Sequence, residues 1–361
     1  MEDFKIAVIG GPKGGKSDFM KAIRRNLGRG RENGEFKCIM VPETAREFMK
    51  DVAKFDETTK HFYQTCIFNR QLFKEREAKE VSLNLKDNKA RVVTICDRGI
   101  MDNKAYLDDD EYFRKMARKA GTSEIELLDD YNLILYFVSS AKMEDSTIYE
   151  EGQDEIRDES KELANTLDDK TIKAWLGHRN IIIIQPEKDF NVKLSKAVLA
   201  VKKQLKFGRV DYPKYDISNY DTSLYETGEF PTIQETIYRF PKLLMADYLS
   251  GIVKRTYNGE DSYIKFTKCD KGKYGYVTET EKPITRTEAK KLLKQRGCYP
   301  GPQFQEVTYV YEDNTIYRIV KEDNNQYYEI MSGENKPPKL LIEKQQENDL
   351  PKLKIKGFKK K

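Results

Sequence analysis

Five short apolar runs divide roughly the first two hundred residues of the chain: FKIAVIG, KCIMVPE, RVVTICD, YNLILYFVS and NIIIIQP. Each run is continuous rather than alternating and is rich in isoleucine and valine, which predicts strands buried on both faces. The longer stretches between them, such as QTCIFNRQLFKEREAKEV and ESKELANTLDDKTIKAWL, have helical composition. Strand and helix therefore alternate, and this alternation predicts an α/β domain with a doubly wound parallel sheet.

The pattern changes at FGRVDYPKYDISNYDTSLYETGEFPT, which is rich in Tyr, Asp, Gly, Pro and Ser and has no helical periodicity. Strand-like segments joined by turns follow, with Asn258-Gly259 inside VKRTYNGEDSYIKFTK as the strongest hairpin signal. The stretch TRTEAKKLLKQRG predicts one helix among these strands. We therefore predict a parallel α/β domain over 1–207, a linker over 208–231, a mainly antiparallel β domain over 232–343, and a basic tail over 344–361.

Composition narrows the class of protein. At 361 residues the chain suits two domains. The net charge of +5 is too weak for a dedicated nucleic-acid binder unless the lysines cluster, so nucleic acid stays a minor hypothesis. The five cysteines form no C-x-x-C pair, no run approaches 18 apolar residues, and acids precede the first run. These features predict reduced thiols in a cytoplasmic protein without a signal peptide or membrane span.

The tail PKLKIKGFKKK ends in closely spaced lysines. The simplest interpretation is a solvated, disordered end of the chain. The alternative is weak electrostatic attachment to an anionic membrane surface, at about 1 kcal/mol per lysine, or to RNA. Peripheral membrane association is therefore one hypothesis for this protein.

A glycine-rich loop follows the first predicted strand and precedes a predicted helix. Gly10, Gly15, Lys16 and Ser17 satisfy the pattern G-x-x-x-x-G-K-[ST]. In such a loop the backbone N–H groups point at phosphate oxygens, the lysine reaches the outer phosphates, and the hydroxyl binds Mg²⁺. The alternative is a simple strand-to-helix turn. We assign nucleotide phosphate binding to Gly11, Pro12, Lys13, Gly14, Gly15, Lys16 and Ser17.

Two acids follow other predicted strands, where open α/β sheets place their ligands. Asp97, followed by Arg98, ends RVVTICD and is predicted to hold Mg²⁺ directly or through water, with Arg98 beside the nucleotide. A turn after a core strand would explain Asp97 equally simply. Glu43 ends KCIMVPE and could act as a base on an acceptor hydroxyl, or bind metal-bound water. The alternative for Glu43 is an acid that stabilises a helix N-terminus.

Two further residues have both a functional and a structural interpretation. Arg157 stands among acids in YEEGQDEIRDESKELA and could close over the nucleotide to stabilise the moving phosphoryl group, or form surface salt bridges. His178 could contact nucleotide, although a hydrogen-bonded structural histidine is the simpler interpretation. No N-K-x-D motif is present, so the sequence does not decide between ATP and GTP.

GGPKGGKS, VPETAREF, TICDRGIMDNKAY and IRDESKELANTLDDKTIKAWLGH resemble, in order and spacing, the P-loop domain of the TRPL translocation defect proteins. SGIVKRTYNGEDSYIKFTK, ITRTEAKKLLKQRG and FQEVTYVYEDNTIYRIV resemble that family's C-terminal domain, which is similar to the CYTH triphosphate-tunnel barrel. The resemblance implies a nucleotide-binding domain with Gly15, Lys16, Ser17 and Asp97 at the phosphates. It also implies binding of guanine nucleotide and acidic phospholipid and a role in membrane-protein trafficking.

The second domain departs from the CYTH pattern. Tunnel enzymes of that class begin with E-x-E-x-K, whereas the corresponding stretch here is IQETIYRF with the single acid Glu235. The sequence therefore does not predict triphosphatase activity. Lys254, Arg255, Lys265 and Arg286 are candidates for an anionic ligand patch, because alternate residues of a strand share one face. Scattered solvated lysines are the alternative.

Three functional hypotheses follow from these patterns. In the first, the P-loop domain binds and slowly hydrolyses GTP or ATP with Mg²⁺, and the β domain binds an anionic phospholipid or partner. In the second, the protein is a small-molecule kinase in which Glu43 deprotonates an acceptor such as a nucleoside or riboside. Lys16 and Arg157 would then stabilise the phosphoryl group, and Ser17 and Asp97 would position Mg²⁺. The third hypothesis, processing of RNA ends, depends on the basic tail and the tunnel-like domain alone.

Overall fold

The computed structural model describes residues 3–12, 14–28, 36–51, 59–85, 91–107, 109–142, 161–210, 212, 214–217, 222, 225, 228–241, 248–269, 278–323, 325–333 and 336–338. Lys13, Arg157 and the lysine-rich tail lie outside these residues. The chain forms two compact units. The amino-terminal unit comprises Met1–Trp175 and Ile181–Lys202, and the carboxy-terminal unit comprises Leu176–Asn180 and Lys203–Lys361.

The amino-terminal unit contains a parallel sheet. Its strands are β1 (Phe4–Ile9), β2 (Phe36–Val41), β3 (Arg91–Asp97), β4 (Leu133–Phe137) and β5 (Ile181–Ile184). They lie in the order β2-β3-β1-β4-β5, and every neighbouring pair is parallel. The five apolar runs of the sequence are these five strands, and the predicted parallel α/β fold is confirmed.

Helices separate these strands along the chain, as parallel pairing requires. They are α1 (Lys16–Gly28), α2 (Thr44–Asp51), α3 (Lys60–Leu85), α4 (Asp102–Ala105), α5 (Asp110–Lys119), α6 (Glu124–Asp129), α7 (Lys161–Trp175) and α8 (Phe190–Phe207). A short 3-10 helix covers Ser140–Lys142. The central strands are covered on both faces, because all five residues of β4 are buried and so are the last four of β1. This burial explains why the runs are continuously apolar.

The register of the sheet brings three chain segments to one edge. Val8 near the end of β1 pairs with Asp97 at the end of β3, and Val41 at the end of β2 pairs with Cys96. Parallel strands end at the same edge, so the glycine-rich loop, Asp97 and Glu43 all leave the sheet there.

The carboxy-terminal unit contains an antiparallel sheet. Its strands are β6 (Arg209–Val210), β7 (Lys214–Asp216), β8 (Thr232–Arg239), β9 (Tyr248–Tyr257), β10 (Glu260–Cys269), β11 (Thr278–Ile284), β12 (Gln303–Glu312), β13 (Thr315–Glu322) and β14 (Asn325–Ser332). They lie in the order β6-β11-β10-β9-β8-β12-β13-β14-β7. The unit also contains helix α9 (Arg286–Arg296), so the predicted mainly antiparallel β domain is confirmed.

The turn between β9 and β10 lies where the sequence predicts it. Asn258 and Gly259 have φ angles of 51° and 76°, as a tight hairpin turn with two positive-φ residues requires. Thr285 caps α9 by accepting a hydrogen bond from the Glu288 backbone N–H. Among the residues that the structure describes, no helix has the length and apolar character needed to cross a membrane.

Candidate functional site

The loop between β1 and α1 depends on its glycines. Gly10 and Gly15 have φ angles of 133° and 92°, which side chains rarely allow. A Cβ atom on Gly10 would lie 2.1 Å from the Phe137 carbonyl oxygen, and one on Gly15 would lie 2.7 Å from the Phe190 ring. Both positions therefore require glycine for space as well as for backbone angle. These two positions thus have the backbone angles for which a glycine-rich loop needs glycine.

Lys16 begins α1 and turns back onto the loop. Its Nζ donates hydrogen bonds to the carbonyl oxygens of Gly10 at 2.8 Å and Gly11 at 2.6 Å. Burial, and after it the positive charge of Arg98, lower the pKa of Lys16 from 10.5 to about 8, against the opposing effect of nearby carboxylates. The ammonium group is thus held beside the loop whose backbone N–H groups would bind phosphate.

Asp168 of helix α7 holds the same loop from the other side, a role that we did not predict from the sequence. Its Oδ1 accepts a hydrogen bond from the Gly11 backbone nitrogen at 2.6 Å. Its Oδ2 accepts from the Tyr136 hydroxyl at 2.6 Å and from the Ser139 backbone nitrogen at 3.3 Å, and lies 3.1 Å from Lys142 Nζ. The carboxylate is fully buried and satisfied by these donors.

The sequence does contain a signal for this role. Ala164, Ile172 and Trp175 form the buried face of α7 at helical spacing, and Asp168 lies on that same face. A charged residue on an otherwise apolar helix face is rarely buried unless it is paired. An aspartate at a position that helical spacing predicts to be buried is therefore a sequence signal for a paired, buried carboxylate, and it identifies Asp168 as a candidate.

Asp97 and Ser17 offer the oxygen atoms that a magnesium ion prefers. Asp97 ends β3, and burial raises the pKa of its carboxyl group, as does the nearby Glu43, while Lys16, Arg98 and Arg46 oppose this shift. Ser17 is exposed in the first turn of α1. A hydroxyl and a carboxylate fit a metal whose other ligands are water and nucleotide phosphate. Within the described part of the chain, no group of three or more His, Cys, Asp or Glu residues could hold a metal ion.

Arg98 orients Glu43 from the end of β3. Arg98 has a φ angle of 67°, and its backbone nitrogen donates to the Val8 carbonyl at 3.0 Å. Its Nε donates to Glu43 Oε1 at 2.8 Å, and its Nη1 donates to Asp102 Oδ2 at 3.3 Å. Arg46 lies 3.4 Å from the other Glu43 oxygen. Glu43 is therefore a mostly buried carboxylate in a defined position, at the same sheet edge as Asp97.

Asp102 connects Arg98 to the only tryptophan of the chain. The Trp175 Nε1 donates to Asp102 Oδ1 at 2.6 Å, and both side chains are buried. Burial raises the pKa of Asp102, while Arg98 and the Trp175 hydrogen bond oppose the rise. This contact ties the end of α7 to the arginine that orients Glu43.

A pocket opens beside Arg98, with an empty volume of about 400 Å³ including its mouth. It lies in the amino-terminal unit, between α2, α3 and α4. The residues that line it are Thr44, Ala45, Met49, Gln64, Ile67, Gln71, Arg98, Gly99, Asp102, Asn103 and Tyr106. We did not predict these lining residues from the sequence apart from Arg98. The pocket offers space for a small molecule next to the Arg98–Glu43 pair.

In the carboxy-terminal unit the four predicted basic residues do not share one face. Lys254 and Arg255 are consecutive on β9 and point to opposite sides of the sheet. Arg255 is fully buried, and its Nε donates to Glu235 Oε1 at 3.0 Å. Lys254 forms an ion pair with Asp261 at 3.0 Å, on the sheet face that also contains Lys265. Arg286 begins α9 and is exposed.

The face that contains Arg255 carries a buried network of arginines and glutamates. Glu235 is its centre, accepting from Arg179 Nη1 at 2.8 Å and from Gln305 Nε2 at 2.6 Å as well as from Arg255. Its charged members, all buried except the partly buried Glu281, are Arg179, Arg209, Arg255, Arg318, Glu235, Glu279, Glu281 and Glu329. Four positive charges thus match four negative charges. His178 is buried in the same unit, with its Nδ1 3.0 Å from the Asn180 backbone nitrogen.

Comparison with solved structures gives remote similarities, three of which follow. A thymidylate kinase from Ehrlichia chaffeensis is 16% identical, with a TM-score of 0.35, over 57% of this chain and all of that one. The PH1819 protein from Pyrococcus horikoshii OT3 is 16% identical, with a TM-score of 0.28, over 40% of this chain and 93% of that one. A Hippeastrum protein described as having a dominant triphosphatase activity is 13% identical, with a TM-score of 0.28, over 41% and 91%.

No curated protein matches the chain. The sequence profile of a protein family, described as AAA domain, matches residues 5–193, which is 189 of the 361 residues and covers the glycine-rich loop, Glu43, Asp97 and Asp168. The amino-terminal unit is therefore a P-loop nucleotide-binding domain, and the chain belongs to the AAA-domain family.

Proposed function

We propose that the amino-terminal unit transfers the terminal phosphoryl group of a purine nucleoside triphosphate, ATP or GTP, to a hydroxyl group of a small acceptor. The observation that supports transfer over simple hydrolysis is the pocket beside Arg98 and Thr44, because it offers an acceptor site next to Glu43. Where water takes the place of the acceptor, the same groups would perform slow hydrolysis.

Each group has a stated task in this proposal. The loop from Gly11 to Ser17 binds the phosphates through its backbone N–H groups, and Lys16 donates to the outer phosphate. Glu43 takes the proton of the acceptor hydroxyl, held in position by Arg98. Ser17 and Asp97 would hold Mg²⁺, which supplies charge neutralisation at the phosphates. Arg157 is proposed to cover the transferred group, although it lies outside the described residues.

The test is a product search with the full-length protein. The protein is incubated with Mg²⁺ and either ATP or GTP, together with a panel of nucleosides and ribosides, and mass spectrometry detects acceptors that gained a phosphoryl group. We expect at least one phosphorylated product, lost in Lys16→Ala and reduced by about a hundredfold in Glu43→Gln. Glu47→Gln, on the helix α2 that begins directly after Glu43, is the matched control and should keep the activity. Formation of nucleoside diphosphate alone, at a rate unaffected by any acceptor, would contradict the proposal.

A second proposal concerns the carboxy-terminal unit, which we infer binds an anionic ligand such as an acidic phospholipid. It is supported by the face of the sheet that carries Lys254 and Lys265. Lys265 lies directly opposite Lys282 in the β10–β11 pair, so both point to this side. Helix α9 packs on the same side through Ala289 against Ile252. The exposed basic residues of α9 are Arg286, Lys290, Lys291, Lys294 and Arg296.

Vesicle binding tests this second proposal. Vesicles of phosphatidylcholine with and without an anionic phospholipid are sedimented with the full chain. We expect binding to the anionic vesicles, reduced by more than tenfold in Lys290→Glu/Lys294→Glu, since each lysine near a membrane contributes about 1 kcal/mol. Lys115→Glu/Lys119→Glu on α5 has the same spacing and is the matched control. Equal losses in both double variants would show a general charge effect and contradict a site on this face.

Nucleotide binding and acidic-phospholipid binding are the two activities that the resemblance to the TRPL translocation defect proteins implies. We propose that the chain is a member of that family within the AAA-domain family. We also propose that nucleotide binding by the amino-terminal unit controls phospholipid binding by the carboxy-terminal unit, as part of membrane-protein trafficking. The test is whether Mg²⁺ with ATP or GTP changes vesicle binding by the wild type and not by Lys16→Ala. Identical binding with and without nucleotide would contradict this coupling.

A further inference from the structure

Two amide side chains in the pocket beside Arg98 have hydrogen-bonding groups that no other described residue satisfies. Asn103 is 5% exposed, and its Oδ1 is buried without a hydrogen-bond partner in the described part of the chain, while its Nδ2 donates to the Ile100 carbonyl. Gln64 lines the same pocket and is 7% exposed, and no hydrogen bond joins its side-chain amide to another described residue. A buried polar atom is normally paired, so the Asn103 oxygen, with the Gln64 amide in the same pocket, points to a ligand.

Gln71 shows by contrast what a structural amide looks like in the same pocket. It lies seven residues after Gln64 on α3, two turns along the same helix face. Its Oε1 accepts from the Thr44 hydroxyl, and its Nε2 donates to Glu75 Oε1 at 2.6 Å. Its donors and acceptor are therefore used within the protein. These hydrogen bonds hold the Gln71 side chain in place, whereas the Gln64 amide keeps one donor group and one acceptor for a ligand.

The charges of the pocket limit what that ligand can be. Arg98 is the only cationic residue among the described lining residues, and it is already bonded to Glu43 and Asp102. A phosphate or carboxylate on the ligand would therefore have no cation to bind and would lie near the Asp102 carboxylate. The other lining residues are Thr44 and the apolar or aromatic Ala45, Met49, Ile67, Gly99 and Tyr106. The pocket thus suits an uncharged, flat group with a polar edge.

We propose that this pocket binds the uncharged base of a nucleoside or related riboside, and that Gln64 and Asn103 recognise the donor and acceptor atoms on its edge. The inference rests on the proposed phosphoryl transfer and names its acceptor as a nucleoside rather than a nucleoside monophosphate. The base packs against the apolar lining residues, and the sugar hydroxyl lies toward Glu43. In the transfer, the hydroxyl oxygen bonds to the γ-phosphorus of the bound triphosphate. The bond from that phosphorus to the bridging oxygen breaks, and the hydroxyl proton passes to Glu43.

Binding of the acceptor can be measured separately from phosphoryl transfer. Isothermal titration of the full-length protein, with no triphosphate added, uses adenosine, guanosine, inosine, cytidine, uridine and thymidine, then the matching 5′-monophosphates. We expect at least one nucleoside or riboside to bind, and its monophosphate to bind at least tenfold more weakly. Gln64→Leu should weaken that binding by about tenfold or more, the usual effect of losing a paired amide contact to a base. Gln64→Asn should restore part of the loss, and Gln295→Leu on exposed α9 should change nothing.

Each outcome separates this inference from the proposed function. No binding by any of the six compounds, tighter binding of the monophosphates, or equal binding by Gln64→Leu would overturn the inference. If one of these occurs while the product search still finds a phosphorylated acceptor, phosphoryl transfer stands and its acceptor is of another class. If nucleosides bind as expected but no phosphorylated product forms, the pocket assignment stands and the kinase proposal fails. Circular dichroism of Gln64→Leu checks that the variant is folded.

Discussion

The Gly11 backbone nitrogen donates a hydrogen bond of 2.6 Å to Asp168 Oδ1, which joins the phosphate-binding loop to helix α7. The contact leaves no room for a side chain, because a Cβ atom on Gly11 would lie 2.8 Å from the Asp168 Cβ. The same carboxylate accepts from the Tyr136 hydroxyl at the end of β4. The conformation of the loop is therefore set by α7 and β4 as well as by its own glycines.

Asp168→Ala should destabilise the protein and weaken nucleotide binding together. The substitution leaves the Gly11 N–H and the Lys142 ammonium without their buried partner, and breaking a buried ion pair costs about 3–5 kcal/mol of unfolding free energy. Urea unfolding and titration with Mg²⁺ and ATP or GTP measure the two effects. Asp169→Ala is the matched control, since Asp169 is half exposed and pairs with Lys142 only at the surface. Unchanged nucleotide affinity in a folded Asp168→Ala protein would contradict this role of the contact.

Lys16 should take up protons when nucleotide binds at alkaline pH. Its pKa in the free protein is about 8, because it is buried near Arg98. Bound phosphates would favour the charged amine and raise the pKa. Above pH 8 the free amine is mostly neutral, so nucleotide binding should draw protons from solution. Below pH 7 the amine is already charged, and uptake should be close to zero.

Calorimetric titration at pH 8.5 and pH 6.5, in buffers of different ionisation enthalpy, measures this uptake. Lys16→Arg should abolish it, because arginine remains charged at both pH values. Lys193 also has a pKa lowered to about 8 by burial, and its Nζ donates to the Val138 carbonyl. Lys193→Gln is therefore the matched control. If that variant loses the uptake while Lys16→Arg keeps it, the wrong lysine has been assigned.

The strands of the amino-terminal unit could be predicted because strands buried on both faces are continuous apolar runs in the sequence. FKIAVIG and YNLILYFVS lie in the middle of the sheet, where both faces must be apolar. Candidate site residues at strand ends could be identified for the same reason, since Glu43 and Asp97 each end such a run, whereas Lys16 was identified from the glycine-rich motif after FKIAVIG. A local pattern is enough to identify a residue at the end of a buried strand.

Contacts between distant segments could not be predicted in that way. Asp168 is 157 positions from Gly11, and Trp175 is 73 positions from Asp102. Gln64 and Gln71 have the same residue type on the same helix face, yet only Gln71 is bonded to Thr44 and Glu75. Whether a glutamine on this face of α3 is hydrogen-bonded depends on which side chains the fold places beside it. The periodicity of the helix sequence does not contain that information. For the same reason Arg255 was grouped with Lys254, although its partner Glu235 lies on the opposite face from Lys254.

Trp175→Phe tests whether the indole hydrogen bond stabilises the Asp102–Arg98 pair. Phenylalanine keeps most of the buried ring but removes the Nε1–H donor, so Asp102 loses one partner in a buried position. We expect a loss of about 1–3 kcal/mol of unfolding free energy, the usual cost of an unsatisfied buried acceptor. In Asp102→Asn the indole donor keeps an oxygen to bind, so Trp175→Phe in that background should cost about half as much. Equal costs in both backgrounds would show that only ring packing matters.

Ionised Glu235 should stabilise the fold of the carboxy-terminal unit, because it lies at the centre of the buried network of arginines and glutamates. Burial alone would raise its pKa, but Arg179, Arg255 and Arg318 lower it well below its ordinary value of 4.5. A lowered folded-state pKa means that the ionised carboxylate stabilises the fold at neutral pH. This stabilisation is lost as pH falls below about 4.5 toward the folded-state value. Burial also raises the pKa of the neighbouring Glu281, but Arg179 and Arg209 together lower it to about 2, so acid weakens the same network.

Glu235→Gln keeps the shape of the side chain and removes its charge. Arg179 and Arg255, both buried, then each lose their ion pair with Glu235, and we expect a loss of about 3–5 kcal/mol at pH 7. Urea unfolding followed by circular dichroism, repeated from pH 7 to pH 3, measures the effect. The difference from wild type should shrink below pH 4.5, because the unfolded wild-type chain then binds a proton at Glu235 that the folded protein does not bind. Glu306→Gln is the control, on the opposite face of β12 from Gln305, and should show neither effect. A difference that stays constant down to pH 3 would mean that Glu235 stabilises this unit by packing rather than by charge.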